Sequence, residues 1–319
     1  MSKNIRFYCY RLKWNVRKFM GRVYYKLKIK RPTRKYCAGK KLMPYEEASA
    51  FIADNIRGGK PFACCRLGGT EMNAFWPWDS PIPFKEENKI QRMNNLCKLS
   101  GFFPPDVSLI DRFAEVMRSS FPNVDIFAVW FSEMEDYAID VYGNPQKITH
   151  FLSLEPWYGE KGWTEALAGK KVLVIHPFKE SILKQYQKRE LLFENPNILP
   201  EFAELHVVKA VQTLAGTKDE RFQNWFEALE WMYSEAMKTD FDVAILGCGA
   251  YGFPLASKLK EAGKQAVVMG GATQLLFGIK GNRWENIPEI SKLFNEHWVY
   301  PAESERLANA KAVENACYW

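Results

Sequence analysis

Residues 242–252 read Asp242-Val243-Ala244-Ile245-Leu246-Gly247-Cys248-Gly249-Ala250-Tyr251-Gly252. A short apolar run, right in length for a buried strand, passes into a GxGxxG whose last glycine opens an amphipathic stretch over 252–262. Strand, glycine turn and helix in that order give these glycines meaning. They let the backbone approach a diphosphate, and the helix start supplies N–H groups and a positive dipole end. The same glycines also suit plain strand–helix packing. A dinucleotide site wants an acid about 20 residues on, at the next strand end. That position falls in Val267-Val268-Met269-Gly270-Gly271, which has none, and the motif sits late in the chain. Both points favour another phosphate ligand, such as a nucleotide sugar.

Outward from this segment, apolar runs at 61–67, 125–131, about 149–154, 171–176, 204–210 and 265–269 read as strands. Between them, helical patterns cover 45–57, 84–100, 106–119, 179–192, 219–238 and 252–262. Continuous apolar strands alternating with amphipathic helices predict an α/β, Rossmann-like fold: a mostly parallel sheet with helices on both faces. The alternation is clearest over 120–319, and the domain is placed at 45–319.

Strand ends on one edge of such a sheet line the ligand crevice. They deliver Arg66, Gly68, Gly69 and Glu71 after the first strand, Glu155 and Trp157 after the strand near 150, His176 at another, and Lys209 and Gln212 after the strand at 204. The glycine turn adds Gly247, Gly249, Tyr251 and Gly252; the next loop adds Gly270, Gly271 and Gln274. Lys280, Arg283 and Trp284 follow, two cations and a ring suited to a diphosphate with an adjacent ring. Glu71 is the favoured base or metal ligand, since a carboxylate can take a proton from a sugar hydroxyl or hold a cation against a diphosphate. Glu133, Glu135 and Asp136 form a competing acidic group, also readable as a solvated helix start.

The net charge of +7 hides an asymmetry. Residues 1–45 hold fifteen Lys or Arg and no Asp or Glu; the other 29 basic residues face all 37 acidic ones, a net of −8. Residues 1–30 read as a helix with Ile5, Tyr8, Leu12, Phe19, Val23 and Leu27 near helical spacing and cations between. Such an arm suits an anionic membrane surface through residues 1–35, or packs on the body; Arg31-Pro32-Thr33 ends it, so 1–44 is arm and linker. Nothing else in the chain resembles a nucleic-acid module. Seven cysteines without a CxxC pair, scattered histidines, no secretory leader and no long apolar span predict a cytoplasmic protein, and the basic arm places it peripherally on the inner face of the plasma membrane.

At Arg66-Leu67-Gly68-Gly69-Thr70-Glu71 the chain resembles the start of the GT-D-type bacterial glycosyltransferases, which carry RFGDGE after their first strand. Arg66, Gly68 and Glu71 match; Gly69 stands at the Asp position and Thr70 at the following Gly. Leu246 to Gly271 looks like that family's late strand–glycine loop–helix–strand. Residues 176–284, with Asn295–Trp298 and Cys317–Trp319, look more like uncharacterised proteins of surface-polysaccharide gene clusters. The resemblance implies sugar transfer from a nucleotide-diphosphate donor to a glycan or lipid-linked acceptor. It also implies a divalent cation, Mn or Mg, at Glu71. A non-catalytic polysaccharide-assembly protein of the same fold and another nucleotide-dependent Rossmann enzyme, such as an oxidoreductase, remain open at this point.

Overall fold

The inner strands are apolar on both sides, so each has to be covered twice. In the computed structural model, which describes residues 2–319, β1 (Tyr36–Cys37) and β2 (Lys40–Lys41) make a small antiparallel ribbon. The remaining strands are β3 (Phe62–Cys65), β4 (Ile126–Val129), β5 (Lys147–His150), β6 (Lys171–His176), β7 (Glu204–Lys209), β8 (Val243–Leu246) and β9 (Gln265–Val268). They form one parallel seven-stranded sheet in the order β5-β4-β3-β9-β8-β6-β7.

Side chains alternate between two separate cores, as the strand period of two requires. Ala63, Cys65, Phe127, Val129, Leu246 and Val268 enter one; Phe62, Cys64, Ile126, Ala128, Ile245 and Val267 enter the other. The first core is roofed by α1 (Lys3–Lys26), α3 (Gly69–Phe75), α4 (Glu86–Ser100), α5 (Ile110–Ser120), α6 (Glu135–Tyr142), α9 (Trp225–Met237) and α10 (Gly252–Glu261). The second is covered by α2 (Tyr45–Gly58), α7 (Lys179–Tyr186), α8 (Arg189–Leu192), α11 (Thr273–Leu276) and the C-terminal segment. The expected Rossmann-like architecture is present. Because β3 lies between β4 and β9, the sheet draws on residues well before 120.

Element edges differ from the sequence reading where a side chain intervenes. The strand expected over 149–154 ends at His150; Phe151–Leu154 is a 3-10 turn in which His150 Nδ1 accepts from the Leu152 amide. The helix expected from 219 begins at Trp225, because the Asn224 side chain accepts from the amides of Phe226 and Glu227. The helix expected over 179–192 is broken into α7 and α8.

The N-terminal helix is docked. Phe7 is 3% exposed, with its ring edge-on to Tyr137 at 5.3 Å and tilted on Trp76 at 6.1 Å. Lys3 reaches Asp79 at 3.0 Å, Arg6 reaches Asp140 at 3.5 Å, Arg11 reaches Glu133, and Arg17 reaches Asp136 at 2.9 Å. Arg34, in the linker, joins Asp136 at 3.4 Å. The linker itself runs along the sheet edge, where the Met43 amide donates to the Ile148 carbonyl at 2.8 Å.

Candidate functional site

The chain leaves β3 toward β4 and β5 on one side of the sheet and returns through β8 to β9 from the other. Loops therefore diverge between β3 and β9, the place where open parallel sheets bind ligands. A cleft of about 670 Å³ opens there. Of the residues singled out in the sequence, Arg66, Gly68, Gly69, Glu71, His176, Gln212, Gly247, Gly249, Gly270, Gly271, Gln274, Arg283 and Trp284 all line it. The two glycine loops thus meet at one crevice.

Arg66 forms the floor. Its side chain is 10% exposed, Nη1 lies 3.8 Å from Glu155 Oε1, and the guanidinium sits 5.2 Å from the Trp130 ring centre. That separation from Glu155 is too long for a hydrogen bond. Arg66 Nη1 and Glu155 Oε2 are both buried without a partner. Burial pushes the Glu155 carboxyl up to about 7, and the Arg66 charge holds back part of that rise. Burial also raises Glu71, while its own amide and the Ser100 hydroxyl offset part of it. His176 is driven down to about 3 by burial and stays neutral. Its Nδ1 accepts from the Phe178 amide at 3.0 Å, which assigns the proton to Nε2.

The glycines make room for this machinery. Gly270 has φ +57°, and a Cβ there would lie 2.4 Å from Arg66 Nη2. Gly249 has φ +59°, with the Ser100 carbonyl 2.8 Å from its missing Cβ. The Gly247 amide donates to Ile175 in the sheet, so its role is close packing against His176 and Thr273 and not ligand capture. Outside bonds internal to helices and strands, the amides of Gly249, Gly270 and Gly271 donate to no main-chain carbonyl among the described residues.

Four expected contacts lie elsewhere. Tyr251 is 1% exposed and stacked on Trp225 at 5.1 Å, because Gly249–Tyr251 forms a 3-10 turn that points the ring into the first core. Gly252 opens α10 and lets it close on Val268, a packing role. Lys209 is exposed at the end of the edge strand β7. Lys280 donates its amide to Val299 and rests its ammonium over Phe294 and Tyr300.

The competing acidic group is already engaged. Arg11 takes Glu133, Arg17 and Arg34 take Asp136, and Glu135 accepts from the amides of Ser132 at 2.8 Å and Trp130 at 3.3 Å. Among the described residues no three His, Cys, Asp or Glu side chains converge as a metal cage.

Compared with known proteins, the chain matches no family model, no curated protein and no solved structure.

Four contributors stand out less in the sequence than in the fold. Trp130 and Phe151 stack at 3.6 Å and 4° on the cleft wall, and Trp130 remains 40% exposed. Each directly follows a strand, β4 or β5, the same positional signal that marked His176. Glu155 carried that signal, but its burial and lone oxygen come from tertiary structure. The C-terminal segment closes the opposite wall: Arg283 Nη1 binds the Tyr318 hydroxyl at 3.3 Å and Nη2 pairs with Glu314. Gln274 Nε2 donates to the Tyr318 carbonyl at 3.1 Å, leaving its Oε1 buried and unpartnered.

Proposed function

We propose that this cleft transfers a sugar from a nucleotide-diphosphate donor to the hydroxyl of a glycan or lipid-linked acceptor. The observation that carries the reading is the buried Arg66–Glu155 pair, each with an unpartnered polar atom at the base of a cleft walled by the stacked Trp130 and Phe151 rings. Buried polar atoms are ordinarily satisfied; an anionic group suits the Arg66 donor, and a hydroxyl donor suits the Glu155 oxygen. Arg66 and Arg283 carry the charge of the diphosphate; the Trp130–Phe151 stack offers a flat apolar face to a base or sugar ring.

In the transfer step Glu155 accepts the acceptor hydroxyl proton. The acceptor oxygen bonds to the anomeric carbon as that carbon's bond to the diphosphate oxygen breaks, and the nucleoside diphosphate leaves with the electron pair. A base that titrates near 7 is matched to neutral conditions. Glu155 has a free oxygen for this role, whereas Glu71 is folded back over Gly68 and suits orienting a sugar hydroxyl. Among the described residues no three His, Cys, Asp or Glu side chains converge, and the arginines hold the leaving-group charge.

The test is a thermal-shift panel of UDP-, GDP-, CMP- and dTDP-sugars, with and without manganese. A donor at about a hundred times its Kd should raise Tm by roughly 4–6 °C, and Arg66→Gln should abolish the rise. No shift with any nucleotide sugar overturns the reading.

A further inference from the structure

Helix α1 is docked with its charged face inward. Lys3, Arg6, Arg11 and Arg17 face acidic groups of the body, and Phe7 is its buried anchor. Turned away are Ile5, Tyr8, Leu12, Val16 and Phe19, between 47% and 65% exposed. Their spacing of three and four places them within an arc of roughly 80° on a helix of 3.6 residues per turn. A stripe of that kind normally faces a core; here it faces outward.

The surrounding charges have one sign. Lys13, Lys18, Arg22 and Lys26 on the helix, and Lys28 and Lys30 just beyond it, are exposed and pair with no carboxylate among the described residues. We propose that this outward face is a docking surface for an anionic phospholipid bilayer, with α1 lying in the interface plane, its apolar stripe in the acyl boundary and its flanking lysines on the headgroups. Charge complementarity selects this occupant. Two copies of α1 meeting through the stripe would oppose the same cations, which disfavours self-association. Among the described residues no helix is long and apolar enough to cross a membrane, so the contact is peripheral for this helix. The inference is independent of the chemistry in the cleft.

Cosedimentation of the full chain with vesicles tests it. The probes are pure phosphatidylcholine and phosphatidylcholine with about one third phosphatidylglycerol. The chain should bind the anionic vesicles. Leu12→Glu with Phe19→Glu should weaken binding at least tenfold at unchanged Tm, since both side chains stand in solvent. Replacing Lys26, Lys28 and Lys30 with Gln should weaken it by about tenfold or more on anionic vesicles only. The proposal is overturned by no vesicle binding, by binding that the glutamates leave intact, or by light scattering that shows a dimer dissociated by Leu12→Glu.

Discussion

Glu155 sits near neutrality because burial outweighs Arg66, the one charge that favours its ionised form. If it is the base, transfer should rise with pH through a single ionisation at about 7. Glu155→Gln should cut kcat about a hundredfold or more and flatten that limb. Arg66→Gln should move the limb to higher pH in addition to weakening donor binding, since removing a cation raises a carboxyl's pKa. Steady-state rates across the pH range read all three. Gly270 offers a second test. Gly270→Ala meets both a positive φ and the Arg66 guanidinium, whereas Gly263→Ala meets a φ of +85° with open space. Both should lose roughly 1 kcal/mol of stability from the backbone. Only Gly270→Ala should also lose the donor-induced Tm shift, because it displaces Arg66.

At the scale of elements, α1 is held by one buried ring and several partly exposed ion pairs, and exposed pairs contribute little. Phe7→Ala should therefore undock most of it, at a local cost of about 3 kcal/mol. Limited trypsin digestion should then cut within 3–26 well before the body, while the parent resists; equal resistance would show that the ion pairs suffice. This docking also marks the limit of what the sequence disclosed. Strands and the two glycine loops were legible because their signal is local: apolar runs, period and turn residues. The arm's partners were not, since Arg17 and Asp136 are 119 residues apart and nothing local links a cationic helix to an acidic one. Tyr251 was misplaced for a similar reason. A GxGxxG pattern says where the backbone turns, while the stack on Trp225 decides which way the ring points. Glu155 was visible as a strand-end acid, but not as a buried acid with a bare oxygen.

For the molecule as a whole, the buried acids set a pH dependence. Burial raises Glu155 and Glu135 to about 7 from 4.5, against the Arg66 charge and the loop amides respectively. Between about 4.5 and 7 the folded state then binds more protons than the unfolded one, so stability falls as pH rises and levels off above 7. The stability of Glu155→Gln relative to the parent should therefore grow by on the order of 3 kcal/mol across that window. Urea melts at several pH values measure it, and a constant difference would contradict the raised carboxyl. His176, lowered to about 3, acts in the opposite sense below 6.5 and is common to both proteins.

The sheet order has a consequence for synthesis. Strand β3 emerges early, but its neighbour β9 follows about two hundred residues later. At ribosomal speeds of roughly 5–20 residues per second, that is an interval of about ten to forty seconds. During it, one flank of a wholly apolar strand has no mate, and the floor of the crevice lacks its second half. Recovery of soluble product should therefore depend on how well the nascent chain is shielded in that interval, and slower growth at low temperature with abundant chaperone should raise it.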